Sequence, residues 1–244
     1  MEIDFRPNPK QGEFFELAID ALFGKSENRH LWYGGGIRGG KTFVSLCILS
    51  FAAKHFPNSR WFVFRKDMPA LLSTTIPSMV KIIDGNPNWV WTRSAGNYHV
   101  TYKPSGGKIF FKGENLAQDP ELTDLLGLEC NGILFEQVEE LSPKLFQLGC
   151  SRLGSWLLEK MPMPITLATC NPSQTWVKEM IYEPYTRNEL PEAHIFMPAL
   201  PRDNKFVTEE QWKQFNRMSD NYKRIMIEGD WTDLMDLSHR WAYR

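Results

Sequence analysis

Nine residues constrain this chain more than any others. They are 34-GGGIRGGKT-42, set between the aromatic run 30-HLWY-33 and the apolar run 43-FVSLCIL-49. Within them, 35-GGIRGGKT-42 fits G-x-x-x-x-G-K-[ST]. Glycine tolerates backbone angles that other residues resist. Successive N–H groups can then turn inward and cradle phosphate oxygens, helped by the positive end of the following helix. The pattern needs a strand before it and a helix after it, and the flanking runs supply both. It predicts an ATP and Mg²⁺ site built by Gly35, Gly36, Ile37, Arg38, Gly39, Gly40, Lys41, Thr42 and Phe43. Lys41 reaches the β- and γ-phosphates and the Thr42 hydroxyl holds the metal. Arg38 is either a second cation for the γ-phosphate or a solvated loop tip.

Such a loop requires a metal-holding acid at the end of a neighbouring strand. In 133-ILFEQVEEL-141, Glu136 ends the apolar run and fills that role beside Thr42. The next position usually carries a glutamate that deprotonates the attacking water, and here it is Gln137. Gln can orient water but cannot accept its proton as a carboxylate does. Three readings stay open: Gln137 positions water alone, Glu139 or Glu140 supplies the carboxylate, or the substitution inactivates the site.

Around these motifs, strands alternate with helices. Helices are expected over 11–24, 41–54, 69–84, 143–151, 174–183 and 207–218, with a further segment near 220–228. Strands are expected over 30–35, 60–66, 132–136 and 164–170. Segments 98–103 and 108–113 suit a hairpin closed by 104-PSGG-107. The alternation implies an α/β fold with a mostly parallel sheet and helices on both faces. Between Lys41 and Glu136 lie 94 residues. That gives room for an extra strand, 60–66, between the two motif strands, as in RecA-like P-loop NTPases.

Bulk properties narrow the alternatives. The chain has 244 residues, 42% hydrophobic, enough for one large domain. No apolar run approaches a membrane span, and the acidic, Pro-containing start is not a signal peptide. Both point to an intracellular protein. The formal net charge of −1 carries no global nucleic-acid signature. Cys47, Cys130, Cys150 and Cys170 show neither CxxC nor zinc spacing, and are expected reduced and mostly buried. Trp32, Trp61 and Phe62 are expected in the core.

With the two motifs placed, the chain resembles the ATPase domain of a tailed-phage terminase large subunit, the DNA-packaging motor. The arginine inside GGIRGGKT is typical of those loops. 9-PKQ-11 is similar to the family's adenine-recognition element, with Gln11 as reader. 62-FVFRK-66 resembles its arginine-bearing strand, implicating Arg65, and 125-LLGLECNGILFEQVEEL-141 its glycine-containing lead-in and metal-acid strand. 169-TCNPS-173 matches its coupling motif, assigning Thr169 and Asn171 to link γ-phosphate loss to domain motion. 224-RIMIEGDW-231 is similar to the segment that closes the domain.

The resemblance implies residues 1–231 as the ATPase domain and 232–244 as a tail toward an absent nuclease. Its implied partners are double-stranded DNA, a portal protein and a small subunit, in a ring of copies within the host cytoplasm. Two departures stand out: Gln137 at the glutamate position, and Leu126 before Gly127 where the family often has an arginine. Arg152, in 150-CSRLG-154, is therefore the candidate finger acting on a neighbouring subunit. Lys103, Lys108 and Lys112 are candidate DNA-backbone contacts, with solvated surface charge as the alternative. Other RecA-like DNA translocases or helicases, and a nucleotide-binding module with impaired hydrolysis, are the competing readings.

Overall fold

Strands apolar on nearly every residue must be covered on both faces. Four strands here meet that description: β1 (His30–Gly34), β2 (Arg60–Arg65), β6 (Gly132–Phe135) and β7 (Ile165–Cys170). With β3 (Trp89–Ser94), β4 (Asn97–Tyr102), β5 (Gly107–Gly113) and β8 (His194–Pro198) they form one sheet of order β3-β4-β5-β2-β6-β7-β1-β8. The computed structural model describes residues 6–94 and 96–232. Pairing is parallel from β5 through β8, and antiparallel only for β3–β4 and β4–β5.

Side chains alternate across a strand, so one sheet feeds two cores. One core takes Leu31, Tyr33, Trp61, Val63, Leu134 and Leu167. It is closed by α1 (Pro9–Leu22), α2 (Lys41–His55) and α3 (Ile76–Ile83). The other takes Trp32, Phe62, Phe64, Ile133, Phe135 and Cys170, against α4 (Pro143–Ser151) and the chain around Val177, Ile225 and Trp231. Helices thus cover both faces, as the alternation implied. Trp32, Trp61 and Phe62 are buried as expected. The four cysteines are free, three of them buried.

Local signals explain the helix ends. Asn8 and Gln11 form a reciprocal capping box at α1, with Pro9 in the first turn. Ser142 caps α4 by accepting from Leu145 N. Helix α2 lacks an amphipathic stripe because it is enclosed: 10 of its 15 residues are buried.

Several expectations are corrected. Strands β3 and β8 lie outside the expected set. The expected helix at 174–183 is shorter and looser, a wide turn over Lys178–Tyr182 followed by Glu183–Thr186. The run before α3 likewise begins as Met68–Ala70 and widens over Leu71–Thr75. The strand between the two motif strands is not 60–66. It is β7, and β2 lies on the far side of β6. The hairpin of β4 and β5 is present. Most of the tail expected at 232–244 falls outside the described residues.

Candidate functional site

The strand order dictates what meets what. All parallel strands end at the same edge, and the loop after β1 turns there into α2. Because β7 lies between β1 and β6, the residues leaving β7 stand between the glycine loop and the acids after β6. The register sets Gly34 beside Cys170 and Phe135 beside Ala168. Thr169 and Glu136 are therefore level.

The loop is shaped by close approach. At Gly35, φ is +133°, and a Cβ would stand 2.6 Å from the Ala199 carbonyl oxygen. At Gly36 a Cβ would stand 2.6 Å from the Met226 carbonyl oxygen. Arg38 and Gly40 are left-handed, at φ 56° and 77°. Gly35 N–H donates to Cys170 O at 3.1 Å and Ile37 N–H to Met226 O at 2.8 Å, which pins the loop to β7 and to the chain near 226. The amide of Ile37 thus anchors the loop rather than facing an anion. Gly40 at the start of α2 has no side chain to cap its first-turn amides, the arrangement that receives phosphate at a helix start.

Lys41 is buried. Its ammonium donates to the carbonyls of Gly35 (3.3 Å) and Gly36 and to Asn171 Oδ1 (3.1 Å). Burial pushes its pKa down to about 8, while Cys170 and Glu139 act in the opposite direction. Thr42 Oγ1 donates to Glu136 Oε1 at 2.7 Å. The other oxygen of this buried carboxylate accepts from Thr75 Oγ1. The loop threonine and the strand-end acid, 94 positions apart, thus share one hydrogen bond.

A nucleotide and its metal fit this donor set. Two glycines hold the loop where a Cβ would clash, a buried lysine sits at its centre, and a hydroxyl and a carboxylate converge beside it. Among the described residues no group of three or more His, Cys, Asp or Glu could hold a metal ion. Mg²⁺ held at Thr42 and Glu136 would therefore complete its shell with phosphate and water oxygens, its usual habit.

The remaining predicted residues divide. Thr169 Oγ1 accepts from Gln137 N at 3.0 Å. Asn171 donates to Glu139 Oε1 through its backbone N (3.1 Å) and its Nδ2 (2.8 Å). Burial raises the Glu139 carboxyl to about 7, against the hydrogen bonds and the Lys41 charge that lower it. Gln11 lies against the loop, its Nε2 donating to Gly40 O at 3.0 Å and its Oε1 accepting from Asn8 N. Both ends of that amide are engaged in holding the helix start and the loop. Arg38 is exposed, and its carbonyl accepts from Asn204 Nδ2 at 2.7 Å. Phe43 is exposed on the outer side of α2.

Arg152 does not join this cluster. It ends α4, its Nε donates to Leu128 O at 2.9 Å, and its neighbour Leu153 bridges to Cys130, ahead of β6. That is the opposite edge of the sheet, so Arg152 has no part in its own chain's loop. Arg65, which no spacing rule announced and only the resemblance implicated, does join. It is buried, donates to Gln137 Oε1, Thr74 Oγ1 and Ala70 O, and lies 3.8 Å from Glu140. Lys103 lies in the turn after β4, Lys108 at the start of β5 and Lys112 at its other end, roughly 13 Å from Lys108. A separate cleft of ≈ 970 Å³ lies between Asp67, Arg93, Tyr98, Lys112 and Asp119; no residue of the glycine loop lines it.

No protein-family model matches the chain, and no curated protein matches it in sequence. Solved structures do. The large terminase of a thermophilic bacteriophage is similar over 93% of this chain and 54% of its own, with TM-score 0.70 and 18% identity. The same terminase in complex with ADP is similar over 92% and 53%, with TM-score 0.70 and 18% identity. The ATPase domain of the Thermus phage P74-26 large terminase is similar over 94% of this chain and 95% of its own, with TM-score 0.61 and 11% identity. The chain spans about half the length of the first of these terminases. Its α/β architecture, with a mostly parallel eight-stranded sheet, is the RecA-like P-loop fold of phage large-terminase ATPase domains.

Proposed function

We propose that this chain is an ATP-hydrolysing motor domain of the large-terminase kind, which drives double-stranded viral DNA into a procapsid. The observation that carries this reading is the Thr42–Glu136 hydrogen bond, which brings loop and metal acid to one point. The likeness to terminase ATPase domains, and to a terminase holding ADP, supports it.

In the proposed cycle, the loop amides and Lys41 hold the β- and γ-phosphates. Thr42 and Glu136 would hold Mg²⁺, which when bound would supply charge neutralisation at the phosphate oxygens. Phosphoryl transfer needs chiefly positioning and charge stabilisation, which such a site supplies. Asn171 touches Lys41 on one side and Glu139 on the other, so loss of the γ-phosphate changes the surroundings of both. That is a physical basis for the coupling role assigned to Thr169 and Asn171. Arg38, exposed at the loop tip, has room to swing toward the γ-phosphate. Arg152, at the far edge, could act only on a neighbouring copy in a ring. DNA is gripped through phosphates, since packaging must accept any sequence. The motor unit is taken as residues 1–231. A portal protein and a small subunit are its proposed partners, in the host cytoplasm.

Steady-state ATP turnover with and without Lys41→Ala tests the reading. Turnover should be lost with the lysine. If wild type and variant are equally inert with DNA and procapsid present, the competing view, a non-hydrolysing nucleotide-binding module, replaces it. Portal-dependent packaging without strand displacement would separate a packaging motor from a helicase.

A further inference from the structure

The position after Glu136 is where a catalytic glutamate is expected, and Gln137 cannot serve as a base. The backbone shows what happens instead. Gln137 has φ 49° and ψ 56°, a left-handed conformation uncommon outside glycine. That kink turns its side chain toward β2, where Arg65 donates to its Oε1. Its N–H is held by Thr169. Gln137 therefore faces away from the loop strand β1, which lies on the other side of β6 and β7.

The single turn Val138–Glu140 that follows buries Val138 in the core and returns Glu139 toward the loop. Glu139 Oε1 is held by two donors from Asn171. Asn171 Oδ1 in turn accepts from Lys41 Nζ, so the carboxylate stands one amide away from the phosphate-binding lysine. Glu139 Oε2 is buried and has no hydrogen-bond partner among the described residues. A shielded, unpaired carboxylate oxygen is expensive to keep. The carboxylate lies close enough to Lys41, the group that would hold the γ-phosphate, for the two charges to act on each other. Glu140 is the alternative, but it is more exposed and its carboxylate lies near Arg65 (3.8 Å) and Lys66 (3.7 Å). The raised Glu139 carboxyl, about 7, suits proton acceptance near neutrality.

We propose that Glu139 is the catalytic base for ATP hydrolysis and that Asn171 is its positioning residue, a proposal that rests on the ATPase reading above. Water oxygen bonds to the γ-phosphorus as the bond from that phosphorus to the β–γ bridging oxygen breaks. The electron pair of that bond leaves with ADP. The water's proton passes to Glu139 Oε2 and later to solvent. The sum is ATP and water giving ADP, phosphate and a proton. The carboxylate missing at position 137 is thus supplied two residues downstream, by a turn.

The test is single-turnover hydrolysis of radiolabelled ATP by the full chain, from about pH 5.5 to about pH 9, for wild type and for Glu139→Gln, Glu139→Asp, Glu140→Gln and Lys41→Ala. Binding of a fluorescent ATP analogue and thermal melting are measured on each. Glu139→Gln should lower the rate by roughly 10²–10⁴-fold, with analogue binding within about twofold of wild type. The wild-type rate should rise with pH through an acidic limb that Glu139→Gln abolishes. Glu140→Gln should stay within about threefold of wild type. If Glu139→Gln melts early, Glu139→Asp keeps the charge and should retain the acidic limb at a reduced rate. A Glu139→Gln rate within about threefold of wild type, or an equal loss in Glu140→Gln, overturns the proposal. Wild type hydrolysing while Lys41→Ala does not, with Glu139→Gln unimpaired, removes this inference alone. Wild type no faster than Lys41→Ala removes the ATPase reading and this inference with it.

Discussion

Replacing Asn171 by alanine removes a single side chain that holds two buried charges. It takes away one of the three acceptors of the Lys41 ammonium and one of the two donors to Glu139 Oε1 from Asn171, while its backbone N–H remains. Hydrogen bonds to charged groups contribute about 1.5–3 kcal/mol each, so the gross loss is about 3–6 kcal/mol. Water entering the space left behind takes up part of that. A net destabilisation of about 2–4 kcal/mol follows, against the roughly 0.5 kcal/mol of an ordinary surface substitution. In a domain of this size each kcal/mol moves Tm by about 2–4 °C, so melting should fall by roughly 5–15 °C. Circular dichroism without nucleotide measures it. Asn171→Ala combined with Glu139→Gln should then lose less than the sum of the two, because the second change removes a charge the first left poorly held. A fall of under about 2 °C, or strict additivity, would mean that Asn171 does not bridge the two charges, and the coupling argument would lose its physical basis.

Two further outcomes are expected from features outside the loop. Glu114 is buried and accepts from Ser142 N at 3.0 Å and from the Ser142 hydroxyl, anchoring the cap of α4. Glu114→Ala should destabilise by about 2–3 kcal/mol and Glu114→Gln by about half as much, read from urea midpoints at constant slope. His30 stacks on His194 at 4.3 Å across the β1–β8 pair, and burial, then His194, lowers its pKa to about 4. The unfolded chain thus binds more protons than the folded one below about pH 6.5. Stability should be full above that pH and fall as pH drops toward about 4. The linkage slope of about 1.4 kcal/mol per pH unit is an upper bound, because the ring is partly exposed and solvent screens it. Urea melts of His30→Phe should show a flatter dependence between about pH 6.5 and about pH 4.5 than wild type, and an unchanged dependence would assign the acid sensitivity to other groups.

What can be read from the sequence is whatever is local along the chain. The glycine loop, its flanking strand and helix, the capping residues and the fully apolar strands all announce themselves within a few residues. Strand β3 does not, because it is an edge strand, half exposed, in which Arg93 lies over the Trp91 ring rather than continuing an apolar run. Strand β8 is short, ends in Pro198 and follows a turn at Pro191, so its pattern is broken at both ends. The identity of the strand between the motif strands is not legible either. Sheet order is set by crossovers, and a pattern of apolar residues states that a strand is buried without stating beside which other. The place of Arg152 is hidden for the same reason: its distance from Glu136 in sequence is short, but α4 carries it back along the sheet to the other edge.

The acids after β6 show the limit most sharply. Alignment by motif counts residues from Glu136 and asks what stands next, so it finds an amide where a carboxylate belongs. Counting assumes that the chain leaves the strand extended. Gln137 leaves it left-handed, a conformation that Gly, Asn or Asp would have signalled and that Gln does not. One reversed residue sends position 137 toward Arg65 and position 139 toward Asn171. The chemistry of the site then depends on two hydrogen bonds made by residues 65 and 169, on strands to either side of β6. Arg65 and Thr169 matter here less for any contact with substrate than for fixing which glutamate the turn presents. Either would be expected, on substitution, to impair hydrolysis while leaving the loop's hold on phosphate intact.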